Sequence, residues 1–178
     1  MLVALTGLPG AGKSAVADAV GRVLRAPVFS IDPLETALWQ AGVDRAQPTG
    51  LAAYAVAHAA AHHTLSLGLD AVVDAVNAAE PAREAWRALA ARHGVPLRVL
   101  HVVCSDESLH RARLESRRRD LPGFTEPTWA DVTALRAEYA PWPGALVLDS
   151  VDGLDALLAR ALDYLATATV AVPGSTSV

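Results

Sequence analysis

Residues 7–14 of the chain read Gly7-Leu8-Pro9-Gly10-Ala11-Gly12-Lys13-Ser14, and the expected fold follows from them. It matches the pattern G-x-x-x-x-G-K-S in full, with an apolar stretch before it and an amphipathic helical pattern after it. Glycines let a backbone take positive φ angles and bring its N–H groups up to a polyphosphate. The N-terminus of the following helix adds a partial positive charge. The stretch therefore predicts a phosphate-binding loop between a first strand and a first helix.

The side chains at the end of this loop have separate predicted roles. Lys13, the only lysine of the chain, would reach the β- and γ-phosphates of a nucleotide. The hydroxyl group of Ser14 would bind Mg²⁺. The predicted nucleotide-binding residues are Gly7, Leu8, Pro9, Gly10, Ala11, Gly12, Lys13, Ser14 and Ala15.

Size and charge narrow the class of protein. A chain of 178 residues is expected to form one ordinary domain with its own core. The formal charge of −4 gives no general attraction to nucleic acid or to acidic membranes, so neither is an expected partner. The single cysteine, Cys104, cannot form an internal disulfide, which favours a reducing, cytoplasmic compartment. The apolar start, residues 1–5, is too short for a signal-peptide core and predicts a strand.

Short apolar stretches alternate with longer helical ones along the chain, which is the pattern of a parallel α/β sheet. The predicted strands cover residues 2–6, 27–31, 71–73, 97–104 and 145–148. The predicted helices cover residues 13–24, 33–42, 49–67, 81–93, 106–119, 129–139 and 154–165. The prediction is a three-layer α/β domain over residues 1–166 with a five-stranded parallel sheet, followed by an unstructured tail over residues 167–178.

Two aspartates directly follow predicted strands. Asp32 follows the second strand and Asp74 follows the third. Ligands of an open parallel sheet bind outside the carboxyl ends of its strands, where the phosphate loop also lies. A carboxylate at the second strand is suited to take the proton of an acceptor hydroxyl group as a general base. Each aspartate is also a candidate helix N-cap, for Asp32 because Pro33 follows it, and the two roles are compatible.

These residues together resemble the small-molecule kinase branch of the P-loop proteins. The branch includes chloramphenicol phosphotransferase, gluconate and shikimate kinases, zeta toxins and the kinase domain of polynucleotide kinases. The matching positions are the loop at residues 7–14, Ile31-Asp32, the stretch Val-Asp-Ala-Val-Asn at residues 73–77, and Arg113-Leu114-x-x-Arg117. The resemblance spans roughly residues 2–165.

The resemblance implies a kinase-type strand order, with the third strand beside the first. In that order Asp74 would lie next to Ser14 and support Mg²⁺ through water, and Asp32 would act as the base one strand further out. The resemblance also implies that Arg113 and Arg117 clamp phosphate. The phosphate donor that it implies is ATP or GTP with Mg²⁺.

Five arginines lie between residues 111 and 119. Arg113 and Arg117 are four residues apart and would share one face of a helix. Such a pair can neutralise charge on a phosphoryl group during its transfer. The segment over about residues 106–128 is therefore predicted to be a helical, arginine-bearing lid that opens and closes. A solvated charged face is the alternative interpretation, above all for the last two arginines.

The region between Asp32 and Ala82 contains only one Lys or Arg side chain, Arg45. Enzymes that phosphorylate charged acceptors hold them with several arginines. The region therefore favours a neutral or weakly charged small molecule with hydroxyl groups and apolar surface. Trp39 would either stack on this acceptor or pack in the core, and Asn77 is a further candidate contact.

The favoured acceptor class is an antibiotic or other hydroxylated natural product, phosphorylated for self-protection. Three alternatives stay open at this point. The chain could be a metabolic sugar or nucleoside kinase, a toxin-like kinase, or a regulatory ATPase that hydrolyses nucleotide without an acceptor. The carboxylate expected at Asp32 favours a kinase over the last of these.

Overall fold

The computed structural model of the chain describes residues 1–167. Within these residues the five strands are β1 (Leu2–Thr6), β2 (Val28–Ser30), β3 (Ala71–Asp74), β4 (Leu97–Val103) and β5 (Leu146–Asp149). The seven α-helices of the same residues are α1 (Lys13–Leu24), α2 (Ile31–Gln40), α3 (Thr49–Ser66), α4 (Glu80–Arg92), α5 (Glu107–Ser116), α6 (Trp129–Glu138) and α7 (Leu154–Ala166). The predicted tail, from residue 168 onward, lies outside the described residues.

The five strands form one parallel sheet in the order β2-β3-β1-β4-β5. β1 lies at its centre, where both faces of a parallel strand are covered, and its sequence is apolar from end to end apart from Thr6. This arrangement confirms the predicted three-layer fold and the position of the third strand beside the first. Ser30 pairs with Asp74 and Asp74 pairs with Leu5, so β2, β3 and β1 end at the same edge.

Helices cover both faces of the sheet because side chains along a strand alternate between its faces. Leu2 and Ala4 of β1 belong to the core beneath α3 and α4. Val3 and Leu5 belong to the core beneath α1 and α7. On the first face the alanines of α3 are fully buried and spaced four residues apart, at Ala53, Ala57 and Ala61. Their small side chains form one stripe that lets the helix pack closely on the sheet.

Two local predictions were wrong. β2 ends at Ser30 and α2 begins at Ile31, with Ser30 in an extended conformation as the N-cap, so Asp32 lies inside the first turn and does not cap the helix. Pro33 fits there because a first-turn residue has no intrahelical use for an N–H group. The helix expected to continue to Arg119 ends at Ser116, and its C-cap, Arg117, has an extended backbone (φ −58°, ψ 128°).

Among residues 1–167, no helix combines the length and the apolar character needed to cross a membrane.

Candidate active site

The phosphate loop takes a shape that only glycine allows at two positions. Gly7 has φ 138°, and a β-carbon there would collide with the carbonyl oxygen of Val102 on the neighbouring strand. Gly12 has φ 100° and is the N-cap of α1, where it has no side chain to bond the first-turn amides. The backbone thus wraps tightly against β4 and presents the N-terminus of a helix of 12 residues to an anion.

Lys13 is the first residue of α1 and is buried beneath the loop. Its ammonium group donates a hydrogen bond to the carbonyl oxygen of Leu8, at 3.0 Å, so the loop folds around it. Burial lowers the pKa of Lys13, while the nearby carboxylates of Asp74 and Asp32 act to raise it. The lysine therefore stands between the phosphate loop and the two aspartates that the sequence singled out.

A buried histidine, which the sequence did not identify as important, fixes the loop from the other side. Nε2 of His110 donates to the carbonyl oxygen of Pro9 at 2.8 Å, and Nη2 of Arg136 donates to Nδ1 of His110 at 3.3 Å. Because one ring nitrogen donates and the other accepts, the imidazole is held in its neutral form. Burial is the main reason that the pKa of His110 is lowered. The contact joins residues 101 positions apart, which no local pattern predicts.

Arg113 and Arg117 lie together at the entrance to the loop. Both line a cavity of about 220 Å³ with Gly10, Gly12, Lys13, Ser14 and Ala15. Arg113 is held there by Ser150, which accepts a hydrogen bond at its hydroxyl oxygen from Nη1 (2.7 Å) and at its carbonyl oxygen from Nη2 (3.3 Å). The expectation that both arginines share one helix face was wrong, because Arg117 lies beyond the end of α5, and their role in clamping phosphate stays a prediction.

A second cavity, of about 210 Å³, lies on the other side of Lys13. It is lined by Pro9, Lys13, Ser14, Asp32, Asp74, Ala75, Val76, Arg117, Phe124, Thr125 and Pro127. Asp74 is buried, and its Oδ2 accepts a hydrogen bond from the Ser30 hydroxyl group at 3.1 Å. Asp32 and Asp74 therefore share one cavity with Lys13 and Ser14, as expected from the strand order. The base role of Asp32 and the metal role of Asp74 stay predictions.

The oxygen atoms of this second cavity suit Mg²⁺. Ser14 supplies an exposed hydroxyl group and Asp74 a carboxylate, and Mg²⁺ prefers such oxygens and usually keeps several waters or phosphate oxygens as well. In the part of the chain that the structure describes, no three His, Cys, Asp or Glu side chains are grouped to hold a metal. A Mg²⁺ at Ser14 and Asp74 would thus take the remainder of its ligands from phosphate and water.

The segment that follows α5, residues 117–127, will be called the arginine loop. Within it, Arg119 donates from Nη1 to Oδ2 of Asp32 at 2.6 Å, and from Nε and Nη2 to Glu126 at 2.6 and 2.8 Å. Arg119 was expected above all to belong to a solvated charged face, and Glu126 was not a predicted site residue. The high density of arginine in this stretch was the local signal for Arg119. Its ion pair with Asp32 could not be predicted from the sequence, because it spans 87 residues.

The part of the sequence that forms this site matches a known family model. Residues 2–141 match the family model described as "AAA domain". The chain belongs to this AAA domain family. No protein with a curated description matches it.

Solved structures share the fold of this AAA domain at low sequence identity. A candidate kinase from Chloroflexus aurantiacus is 19% identical, with a TM-score of 0.73 over 94% of this chain and 96% of the other. Kti12 from Chaetomium thermophilum, solved with ADP-AlF3, is 21% identical, with a TM-score of 0.72 over 96% and 100%. A gluconokinase from Sinorhizobium meliloti is 20% identical, with a TM-score of 0.65 over 93% of this chain and 91% of the other. The fold of the AAA domain is therefore that of the P-loop kinases.

Trp39 of the AAA domain is held by neighbours on several sides. Its Nε1 donates to the hydroxyl oxygen of Thr49 at 3.0 Å, and the guanidinium group of Arg45 lies 4.4 Å from the centre of its ring. Phe124 of the arginine loop packs against it with ring centres 5.9 Å apart. Of the two roles that the sequence left open, packing fits this environment, and stacking on an acceptor stays a prediction.

Asn77 has a structural position, so the expectation that it contacts an acceptor was wrong. It is fully buried at φ 50°, in the left-handed region that asparagine tolerates better than most residues. Its Nδ2 donates to the carbonyl oxygen of Leu5 at 2.7 Å, and its Oδ1 accepts from Nε1 of Trp86 at 3.0 Å. Its backbone N–H group donates to the Tyr54 hydroxyl oxygen at 3.3 Å, and its carbonyl oxygen accepts from Nε of Arg83 at 2.7 Å.

The charge around the second cavity also differs from the expectation. Arg45, the one cation that the sequence offered, is used in packing on Trp39. The cations near Asp32 come from the arginine loop, since Arg117 lines the cavity and Arg119 pairs with the aspartate. The AAA domain thus places positive charge at the second cavity from a distant part of the chain.

Proposed function

We propose that this AAA domain transfers the γ-phosphate of ATP or GTP to a hydroxyl group of a small molecule. The observation that carries the proposal is the shared cavity in which Asp32 stands beside Lys13 and Ser14. A loop that binds phosphate accounts for Lys13 and Ser14. A carboxylate one strand further out is where a group that deprotonates an acceptor is needed.

In the proposed mechanism the chain holds the triphosphate and orients the acceptor. The loop amides and Lys13 bind the β- and γ-phosphates, while Arg113 and Arg117 neutralise negative charge on the transferred group. Asp32 takes the proton of the acceptor hydroxyl group as its oxygen attacks the γ-phosphorus. The bond from that phosphorus to the β–γ bridging oxygen breaks, which gives a phosphate ester and a nucleoside diphosphate.

Ser14 and Asp74 are the residues that would hold Mg²⁺. When bound, the ion would neutralise charge on the phosphate oxygens. Ser30 keeps the Asp74 carboxylate oriented through its hydrogen bond.

An apolar groove supports a small-molecule acceptor. The groove has a volume of about 530 Å³ and is lined by Leu51, Tyr54, Ala55, His58, Ala79, Pro81, Ala82, Ala85 and Trp86. Tyr54 joins the groove to the segment that follows β3, because its hydroxyl oxygen accepts a hydrogen bond from the backbone N–H group of Asn77 at 3.3 Å, and burial raises the pKa of Tyr54 to about 12. A groove with aromatic and alanine walls suits the apolar part of a ligand.

The groove is also our reason to extend the proposal to hydroxylated natural products, antibiotics among them. Such a molecule offers apolar area to the groove and hydroxyl groups to a base. A metabolic sugar would present little apolar area to the same surface.

The test is a coupled assay of nucleotide consumption with Mg²⁺, run with ATP and with GTP against hydroxylated antibiotics, nucleosides and sugars. We expect one compound to gain the mass of a phosphoryl group, and Asp32→Asn to abolish that product while nucleotide binding is kept. Asp163→Asn, an exposed carboxylate on α7, is the matched control and should behave as wild type. A fully active Asp32→Asn enzyme would exclude Asp32 as the base.

A regulatory ATPase is the second candidate, favoured by the likeness of fold to Kti12. It predicts nucleotide hydrolysis that none of the acceptors stimulates and that an effector protein changes. Product formation on any acceptor of the panel decides against it.

A further inference from the structure

The base of the proposed reaction is not exposed to solvent on all sides, because Arg119 is bonded to it. Nη1 of Arg119 donates to Oδ2 of Asp32 at 2.6 Å, a distance typical of a charge-assisted hydrogen bond. The side chain of Asp32 is 41% exposed, so the ion pair lies where water can also reach the carboxylate. The arginine therefore competes with water for one oxygen of the base.

Arg119 is held in this position by further contacts. Its other two bonded nitrogen atoms donate to both carboxylate oxygens of Glu126, at 2.6 and 2.8 Å. Its guanidinium carbon lies 4.5 Å from the centre of the Phe124 ring, and Phe124 in turn packs on Trp39 of α2. One planar guanidinium group thus bridges two carboxylates on different elements, which a compact ammonium group cannot reproduce in full.

We propose that Arg119 determines which hydroxyl group Asp32 can activate. In this role, which rests on the proposed function, Arg119 occupies Oδ2 and hinders Asp32 from activating water as the nucleophile. An acceptor bound beside Asp32 takes the place of the Arg119 N–H group at that oxygen. Arg119 is then a positioning and specificity residue, because it acts through Asp32 and not on the phosphate.

The two competing reactions differ only in the nucleophile. In transfer, the acceptor O–H group gives its proton to Asp32 and its oxygen forms the bond to the γ-phosphorus. In hydrolysis, water does both, and the products are inorganic phosphate and the nucleoside diphosphate. The bond to the β–γ bridging oxygen breaks in each case, so any device that hinders water alone spares nucleotide for the acceptor.

The neighbouring arginine provides a matched control. Arg118 has the same charge and belongs to the same loop, but its Nη1 donates to the carbonyl oxygens of Glu115 and Arg117, at 3.2 and 2.8 Å. If only the charge of the loop mattered, replacing either arginine would change nucleotide hydrolysis equally. If the effect is exerted through Asp32, only the replacement of Arg119 would change hydrolysis.

The experiment measures phosphate release from Mg²⁺-ATP without any acceptor. We expect Arg119→Ala to raise this hydrolysis about tenfold, a fraction of what a general base contributes, and Arg118→Ala to leave it unchanged. Arg119→Lys should restore most of the suppression because it keeps a cation near Asp32. The double variant Arg119→Ala/Asp32→Asn should return hydrolysis to the wild-type level.

Two results would overturn the assignment. One is unchanged hydrolysis in Arg119→Ala when a fluorescent ATP analogue still binds it. The other is a rise that persists with Asp32→Asn, since a loosened loop would then be letting water in without the base. If the acceptor panel gives no product but the Asp32-dependent rise occurs, the proposed transfer to these acceptors fails, while the control that Arg119 exerts on water through Asp32 stands. If the wild-type protein binds no ATP, both fail.

Discussion

The two sides of the candidate site are built in different ways. The phosphate side is one contiguous stretch, residues 7–14, fixed by backbone geometry and by a buried lysine. The acceptor side is assembled from separate segments, with Ser30 bonded to Asp74 across 44 residues and Asp32 paired with Arg119 across 87. The comparison shows a phosphate loop whose residues are contiguous in sequence and a second cavity whose polar residues meet only once the tertiary fold has formed.

The two sides also differ in what stabilises them. Lys13 is 9% exposed and is surrounded by its own loop, whereas the carboxylate of Asp32 is 41% exposed and depends on an ion pair. Buried backbone contacts respond little to salt, but exposed ion pairs are screened by it. The phosphate side should therefore be the more rigid of the two, and the following predictions test that difference.

The largest expected effect is on the phosphate side. Lys13→Ala removes the one lysine that the loop encloses, and we expect turnover to fall at least about 10³-fold because a preorganised cation at the phosphates is lost. Initial rates of nucleotide consumption measure this, with circular dichroism to verify folding. A loss of less than tenfold would show that the two arginines at the loop entrance can replace the lysine.

The next effect concerns Asn77, the buried residue that bonds β1 to α3 and α4. Asn77→Ala leaves Trp86 and the Leu5 carbonyl group without their buried partners, and we expect the free energy of unfolding to fall by about 2–4 kcal/mol. Chemical denaturation measures the change, and Asn77→Asp tests it further because it keeps Oδ1 but loses the donor to Leu5. An unfolding free energy equal to that of wild type would show that this hydrogen-bond network does not stabilise the fold.

A smaller effect is expected from acid. Burial lowers the pKa of His110, so the folded protein binds this proton less readily than the unfolded chain. Its contribution to stability is then present above about pH 6.5, the ordinary pKa of histidine, and is lost as the pH falls through the lowered value. Thermal unfolding between pH 8 and pH 5 measures the loss, which should be smaller in His110→Gln. An identical pH profile in that variant would assign the loss to other groups.

The smallest effect is expected from salt, and it separates the two sides directly. Raising the ionic strength should weaken the ion pairs of Arg119 and leave the glycine-rich loop unchanged. Hydrogen exchange should therefore quicken, by about two- to fivefold, in residues 117–127 and not in residues 7–14, since exposed pairs contribute about 0.2–1 kcal/mol each. Equal exchange in both segments would contradict the proposed difference in rigidity.

The sequence predicted the fold because its signals are local. The apolar strands, the glycine-rich loop and the helical patterns gave the element order and, with the family resemblance, the position of Asp74 beside β1. What it missed was non-local. α5 ends at Ser116, and Arg119 just beyond it bonds to Asp32, which is 87 residues away in sequence. His110 matters only because the fold places it beside the carbonyl group of Pro9.

The elements that flank the arginine loop are bonded to other parts of the AAA domain. On one side, His110 of α5 is bonded to the phosphate loop. On the other, Arg83 of α4 donates to the carbonyl oxygens of Ala140 and Pro141, just beyond α6, at 2.6 and 3.3 Å. The helices on both sides of residues 117–127 are therefore bonded to the body of the AAA domain, while the segment between them is joined to Asp32 through Arg119.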